Sequence, residues 1–180
     1  MRPLNPRRIT VDDYTPEWAS KFMKEKELLL GAVGSFPCIS DIQHIGSTSV
    51  PGLAAKPIID IAIGTTSFEE AVVCIEPISA LGYRYRGEAG IPRRHLFVKE
   101  NPDTVDSAYL RTHHVHILEV ANDEWTRHLI FRDALRSNPD LVEQYTALKR
   151  ELARRFIDNT IAYTEGKTDF IMGVVNRQRS

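Results

Sequence analysis

Residues 43–64 read QHIGSTSVPGLAAKPIIDIAIG, and this stretch decides the fold. Asp60 stands among Ile58, Ile59, Ile61 and Ile63, a β-branched run with the pattern of a buried strand. A carboxylate sequestered there is costly unless a metal, a cation or hydrogen-bond donors face it. Just upstream, the small residues of GSTSVPGLAAK (46–56) let backbone approach a ligand, and successive N–H groups of such a loop form an anion-binding concavity. Ser47, Thr48 and Ser49 add hydroxyl donors, and Lys56 adds a mobile cation. The glycine spacing fits neither the Walker loop nor the dinucleotide fingerprint. Alone, Gly46-Ser47 is an ordinary strand–loop–strand turn; the aspartate downstream turns it into an expected phosphate-handling site.

Working outward, a strand is expected at 39–45, the loop at 46–56 and a second strand at 57–63. Upstream lie a short strand at 8–11 and a helix opened by Thr15 and Pro16, with Trp18, Phe22, Leu28, Leu29 and Val33 at helical spacing before Gly34. Ser67 with Glu70 three residues on predicts a capped helix to about Leu81. Strands follow at 83–86, 95–99 and 113–120, with a polar loop at 101–111. After Asn122 the pattern is helical, at 122–137, 139–157 and 160–176. Leu129, Phe131, Leu135, Leu148, Leu152 and Phe156 supply core there. The expectation is a single α+β unit over 1–180: a mixed β-sheet core with helices at 1–120 and a helical cap at 121–180.

With 180 residues, 42% hydrophobic and 26% charged, the chain has the make-up of one globular domain. A net charge of −1 gives no bulk attraction to nucleic acid. No apolar run is long enough to span a membrane, and MRPLNPRRITVDDY has no secretory core. Cys38 and Cys74 lack zinc-type spacing and read as reduced thiols, and the composition as a whole fits an expected bacterial-type cytoplasmic protein.

Gly46-Ser47, twelve residues, then an aspartate in an apolar strand resembles the signature of the DNA polymerase beta-like nucleotidyltransferase superfamily. That resemblance implies a Gly-Ser turn binding triphosphate and a strand with two metal-holding carboxylates at alternate positions. Here the same-face neighbour of Asp60 is Ala62, so the second carboxylate is missing. At finer grain HIGSTSVPGLAAKPIIDIAIG, HVHILE (114–119), FRDALR (131–136), YTALKRELA (145–153) and YTEGKTDFI (163–171) are similar to the GrpB family. This second resemblance covers nearly the whole chain. It implies the nucleotidyltransferase fold with a C-terminal helical region, and its relatives fused to a coenzyme A biosynthetic kinase suggest an accessory role.

Superfamily members often place a third metal-binding carboxylate on a neighbouring strand. His114 and His116 alternate in THHVHILE and share one strand face, so they join Asp60 as candidate metal ligands and catalytic groups. Such a set suits zinc, manganese or iron more than bare magnesium. The alternatives are hydrogen-bonded residues of a polar cleft, or one histidine acting as general base. His44 is read as supporting the site from behind, while His113 and His128 receive no role. On the cap, Arg132 and Arg136, Tyr145 and Lys149, and Tyr163 and Lys167 are each four apart and share helix faces. Arg132, Tyr145, Lys149 and Lys167, with Arg94 as a weaker addition, are expected to grip a ligand beside Gly46, Ser47, Thr48 and Lys56. The expected function is binding of a nucleoside triphosphate with a divalent metal (magnesium, manganese or zinc) and nucleotidyl transfer to, or activation of, a small molecule. A non-catalytic nucleotide-binding module is the alternative, and no basic or aromatic surface argues for nucleic acid.

Overall fold

The computed structural model describes residues 9–101 and 111–180. Its first helix, α1 (Glu17–Val33), buries Trp18, Phe22, Glu25, Leu29 and Val33, a spacing of three and four that puts them on one face. Thr15 Oγ1 accepts from the Glu17 N–H at 3.3 Å and steadies its first turn. Strands β1 (Ile39–Ile45) and β2 (Ile59–Thr65) pair antiparallel around the loop. After β2 the chain passes through a 3-10 turn (Glu70–Cys74) into α2 (Ile75–Ala80), then β3 (Tyr83–Tyr85), β4 (Arg94–Glu100) and β5 (Arg111–Glu119). Four helices complete it: α3 (Asp123–Ser137), α4 (Pro139–Arg155), α5 (Thr160–Glu165) and α6 (Thr168–Arg179).

The sheet order is β1-β2-β5-β4-β3, with β2 and β5 parallel and the other pairs antiparallel. Parallel neighbours need a long crossover, and α2 with the β3–β4 hairpin supplies it. One sheet face carries Ile42, Ile59, Ile61, Ile63, Phe97, Val115 and Ile117 and packs under α1 and α2 through Trp18, Phe22, Leu29, Val33 and Ile78. On the other face Ile45, Ala62 and Leu118 meet Trp125 and Leu129 of α3. Gly64 makes this approach feasible, since a Cβ there would lie 2.7 Å from Val120 and 3.0 Å from the Trp125 ring. A third cluster joins Val50 and Leu53 of the β1–β2 loop to Leu135 and Tyr145, so the helical cap docks directly on that loop.

The α+β class is as expected, and β1 has the expected limits. Several elements differ for physical reasons. No strand forms at the start of the described chain: Ile9 N–H donates to Ile157 O at 2.6 Å, and Asp12 and Ala55 form an isolated bridge. Ser67 Oγ does accept from the Glu70 N–H at 3.2 Å, but the Ser67 N–H is taken by Thr65 Oγ1 at 3.3 Å, so half of the capping box forms. The α-helix then starts late, which leaves Pro77 in a first turn where a missing N–H costs nothing. The last expected helix is two, broken at Gly166, where a Cβ would strike Leu152 at 2.6 Å. Most of the polar loop expected at 101–111 lies outside the described residues.

Two buried polar groups knit α1 to the sheet. Glu25, 6% exposed, accepts from Tyr83 Oη at 2.9 Å and Lys99 Nζ at 2.8 Å. Replacing Glu25 with Ala strands both partners, and the expected cost is about 2 kcal/mol, read from the urea midpoint. His44 is buried, stacked on Phe22 at 4.5 Å, with Nε2 3.1 Å from Thr48 Oγ1. Burial, only partly opposed by Asp60, lowers its pKa from 6.5 to about 4. Below pH 6.5 the unfolded chain therefore takes a proton that the folded chain refuses until about pH 4, and stability is lost as pH falls. Between pH 7 and 5 the loss from this group is about 2 kcal/mol, and a His44→Gln variant followed by urea titration should lack it.

Candidate functional site

Asp60 faces away from the isoleucine core. Ile59, Ile61 and Ile63 point beneath α1, whereas Asp60 shares the opposite face with Ala62 and keeps its side chain 28% exposed. The expectation of a carboxylate enclosed by isoleucines is thus corrected: period-two alternation separates them. The glycine turn meets it directly. Gly46 has φ +68°, and a Cβ on it would lie 2.5 Å from Asp60 Oδ2, so both backbone conformation and space demand glycine.

On the adjoining parallel strand His114 is in register with Asp60, and His116 with Ala62. His114 Nδ1 is 3.0 Å, and His116 Nε2 3.7 Å, from the same oxygen, Asp60 Oδ1. His116 thus reaches over the room that the small Ala62 leaves. Burial pushes the Asp60 carboxyl up, but hydrogen bonds from His114 and His116 outweigh it and hold the pKa well below the carboxylate range. Burial lowers the His116 pKa to about 4, against the opposing pull of Asp60, so the ring is neutral at pH 7. The three donor atoms lie within 4.8 Å of one another. One carboxylate and two imidazoles at that spacing fit a single divalent cation of the borderline class. The far nitrogens have other surroundings: His114 Nε2 is buried with no hydrogen-bond partner among the described residues, and His116 Nδ1 lies 3.5 Å from Arg94 Nη1.

In the loop, a 3-10 turn at Ser47–Ser49 bonds Ser49 N–H to Gly46 O and Val50 N–H to Ser47 O, both at 3.2 Å, so the Ser47 and Thr48 N–H groups precede its first bond. Two hydroxyls turn inward: Thr48 Oγ1 donates to Ile58 O at 3.2 Å and Ser49 Oγ to Gly46 O at 2.6 Å. They brace the turn. Lys56 and Lys167 meet over one ring, with Nζ 4.3 and 4.6 Å from the Tyr163 centroid. Burial lowers the Lys56 pKa, aided by Arg111 and opposed by Asp60. Lys167 falls to about 8 through burial and then the Lys56 charge, again with Asp60 opposing. Both ammonium groups therefore feel the site carboxylate.

The other cap residues support the loop from behind. Lys149 is 2% exposed, donates to Ala54 O and lies 4.7 Å from the Tyr145 centroid; burial, then Lys167 and Arg150, lowers its pKa to about 7. Tyr145 is buried against Phe131 and Phe170. Arg132 donates to Gln43 Oε1 at 2.7 Å and His44 O at 3.1 Å, and Arg136 donates twice to Ser49 O. Arg94 donates to Glu88 O and Ala89 O. The structure thus gathers Asp60, His114, His116, Gly46, Ser47, Lys56, Lys167 and Arg94, while Arg132, Tyr145, Lys149 and the Thr48 hydroxyl serve the scaffold. His44 lies on the opposite sheet face. His128, given no role from sequence, has its ring centroid 5.9 Å from His116 and Nε2 3.1 Å from Glu124 Oε1. Its four-residue spacing from Glu124 was the available signal.

Comparison with known proteins places this arrangement. A family model described as GrpB protein matches residues 8–177. Protein YqkA of Bacillus subtilis is 41% identical over 165 residues, 92% of this chain and 46% of its own length. Glutamate-rich protein GrpB of Alkalihalophilus pseudofirmus is 32% identical over 98% of this chain and 99% of its own. A dephospho-CoA kinase of Mycolicibacterium paratuberculosis is 30% identical over 96% of this chain, which spans 46% of that protein. This chain is thus about half the length of YqkA and of the kinase. Among solved structures, the conserved protein GrpB from Enterococcus faecalis superposes with a TM-score of 0.82 at 36% identity, covering 94% of this chain and 96% of that one. A cytoplasmic RNA terminal U-transferase shares the fold at a TM-score of 0.55 and 14% identity, over 80% of this chain and 43% of that one. The architecture is nucleotidyltransferase-like, and the chain belongs to the GrpB protein family.

Proposed function

We propose that this protein binds a nucleoside triphosphate with one divalent cation beside Asp60 and transfers its nucleotidyl group to a small-molecule acceptor. The observation that carries the reading is the contact of two features at one carboxylate: the imidazole pair on one side and the Gly46 turn on the other. Asp60 would hold the cation, with His114 Nδ1 and His116 Nε2 close enough to join it once their lone pairs are free, and the cation when bound supplies charge neutralisation to phosphate oxygens. The leading N–H groups of the Ser47–Ser49 turn suit phosphate oxygens. Lys56 and Lys167 would offset the negative charge that grows on the departing pyrophosphate. The likeness in fold to a terminal U-transferase supports this choice of chemistry, as does the neutral balance of charge for a small acceptor.

A second reading draws on Ala62. With no carboxylate at that position, the described residues gather one cluster of cation ligands, which suits a nucleotide-binding module without turnover. The likeness to a dephospho-CoA kinase of twice the length favours such an accessory role.

Calorimetric titration with ATP and GTP in Mg²⁺, Mn²⁺ or Zn²⁺ tests the common core of both readings. Asp60→Asn is expected to weaken nucleotide binding tenfold or more while leaving the thermal midpoint near that of wild type; unchanged affinity would sink the proposal. Pyrophosphate release across acceptor panels then separates enzyme from module. Because Lys167 loses its proton near pH 8, affinity is expected to fall between pH 7 and 9. A Lys167→Arg variant, charged throughout, should flatten that dependence.

A further inference from the structure

Resting on the reading that the site takes a cation, we infer that Arg94 is a positioning residue that fixes His116 with its proton on Nε2, so that a cation alone binds weakly and binds firmly only together with nucleotide. A neutral imidazole has one N–H and one lone pair, whereas a guanidinium only donates. Arg94 Nη1 lies 3.5 Å from His116 Nδ1, so Nδ1 is the accepting nitrogen and the proton resides on Nε2, 3.7 Å from Asp60 Oδ1. A cation at Asp60 would need the lone pair of Nε2. To expose it, the proton must move to Nδ1, where it would confront the guanidinium N–H. Histidines that bind metals show the reverse polarity, with the far N–H donated to a carboxylate, carbonyl or water.

Arg94 is not free to withdraw. It is 7% exposed, and it donates from Nε to Glu88 O at 3.2 Å and from Nη2 to Glu88 O and Ala89 O at 3.0 Å. Those carbonyls belong to a loop bent through left-handed backbone at Gly87, Ala89 and Gly90, with φ of 65°, 48° and 87°. His114 does not compensate, because its buried Nε2 has no acceptor behind it either. Of the three clustered donors Asp60 is then the one that needs no rearrangement, and polyphosphate oxygens complete the coordination. Arg94, expected from sequence to grip the ligand, acts instead through His116.

The tautomer can be read by long-range ¹H–¹⁵N correlation of the imidazoles in the full chain, and the affinity by calorimetric titration of Zn²⁺ without nucleotide. The expected spectrum shows His116 protonated at Nε2. Arg94→Gln, whose side-chain carbonyl can accept the Nδ1 proton, should bind Zn²⁺ alone about tenfold or more tightly than wild type, and Arg94→Lys should match wild type. An Nδ1-protonated His116 in wild type, or equal affinity for Zn²⁺ in wild type and Arg94→Gln, overturns the inference. Should Arg94→Gln fail to fold, His116→Gln decides: Zn²⁺ affinity within about twofold of wild type upholds the inference, and a tenfold loss overturns it. Tight binding of Zn²⁺ alone to wild type also overturns it while leaving the nucleotide reading intact. No cation binding even with ATP overturns that reading and the cation half of the inference together.

Discussion

A single carboxylate wedged between a left-handed glycine and two imidazoles is the constraint around which this molecule is arranged. Asp60 and its histidines come from strands far apart in sequence, and only the parallel pairing of β2 with β5 brings them side by side. That pairing in turn demands the crossover through α2 and the β3–β4 hairpin. The hairpin returns Arg94 to the far side of His116, so the connection that makes the parallel pair possible also delivers the next residue of the site.

The helices after β5 have a different duty. Arg132 and Arg136 reach Gln43, His44 and Ser49, Lys149 reaches Ala54, and Leu135 and Tyr145 pack on Val50 and Leu53. These contacts converge on the end of β1 and the β1–β2 connection that follows it. A loop of small residues has little packing of its own, and backbone that must present N–H groups at fixed positions needs outside support. The cap provides that support by satisfying the carbonyls behind the loop.

Local pattern made much of this legible. The limits of β1, the turn at Gly46, the placing of His114 and His116 on one strand face, and their closeness to Asp60 all follow from alternation and from the family resemblance. The direction in which long side chains reach was not legible. Four-residue spacing puts Arg132 and Lys149 on definite helix faces, but whether a face meets solvent, ligand or loop depends on tertiary packing that spacing does not encode. The surroundings of Asp60 are hard to read for a related reason: a run of isoleucines looks continuous in sequence, yet its neighbours alternate across a sheet with two unlike faces. The closeness of Arg94 to His116 is not legible either, because it depends on the β4–β5 register and on the orientation of the imidazole.

The pair of ammonium groups over Tyr163 has a mechanical consequence. Lys56 belongs to the connection leading into β2 and Lys167 to the junction of α5 and α6, and the electron-rich Tyr163 ring that both approach offsets only part of their mutual repulsion. The junction therefore carries a like-charge repulsion, which an anion near both lysines would relieve. One aromatic ring and two amines thus tie the charge of the loop before β2 to that of the α5–α6 junction.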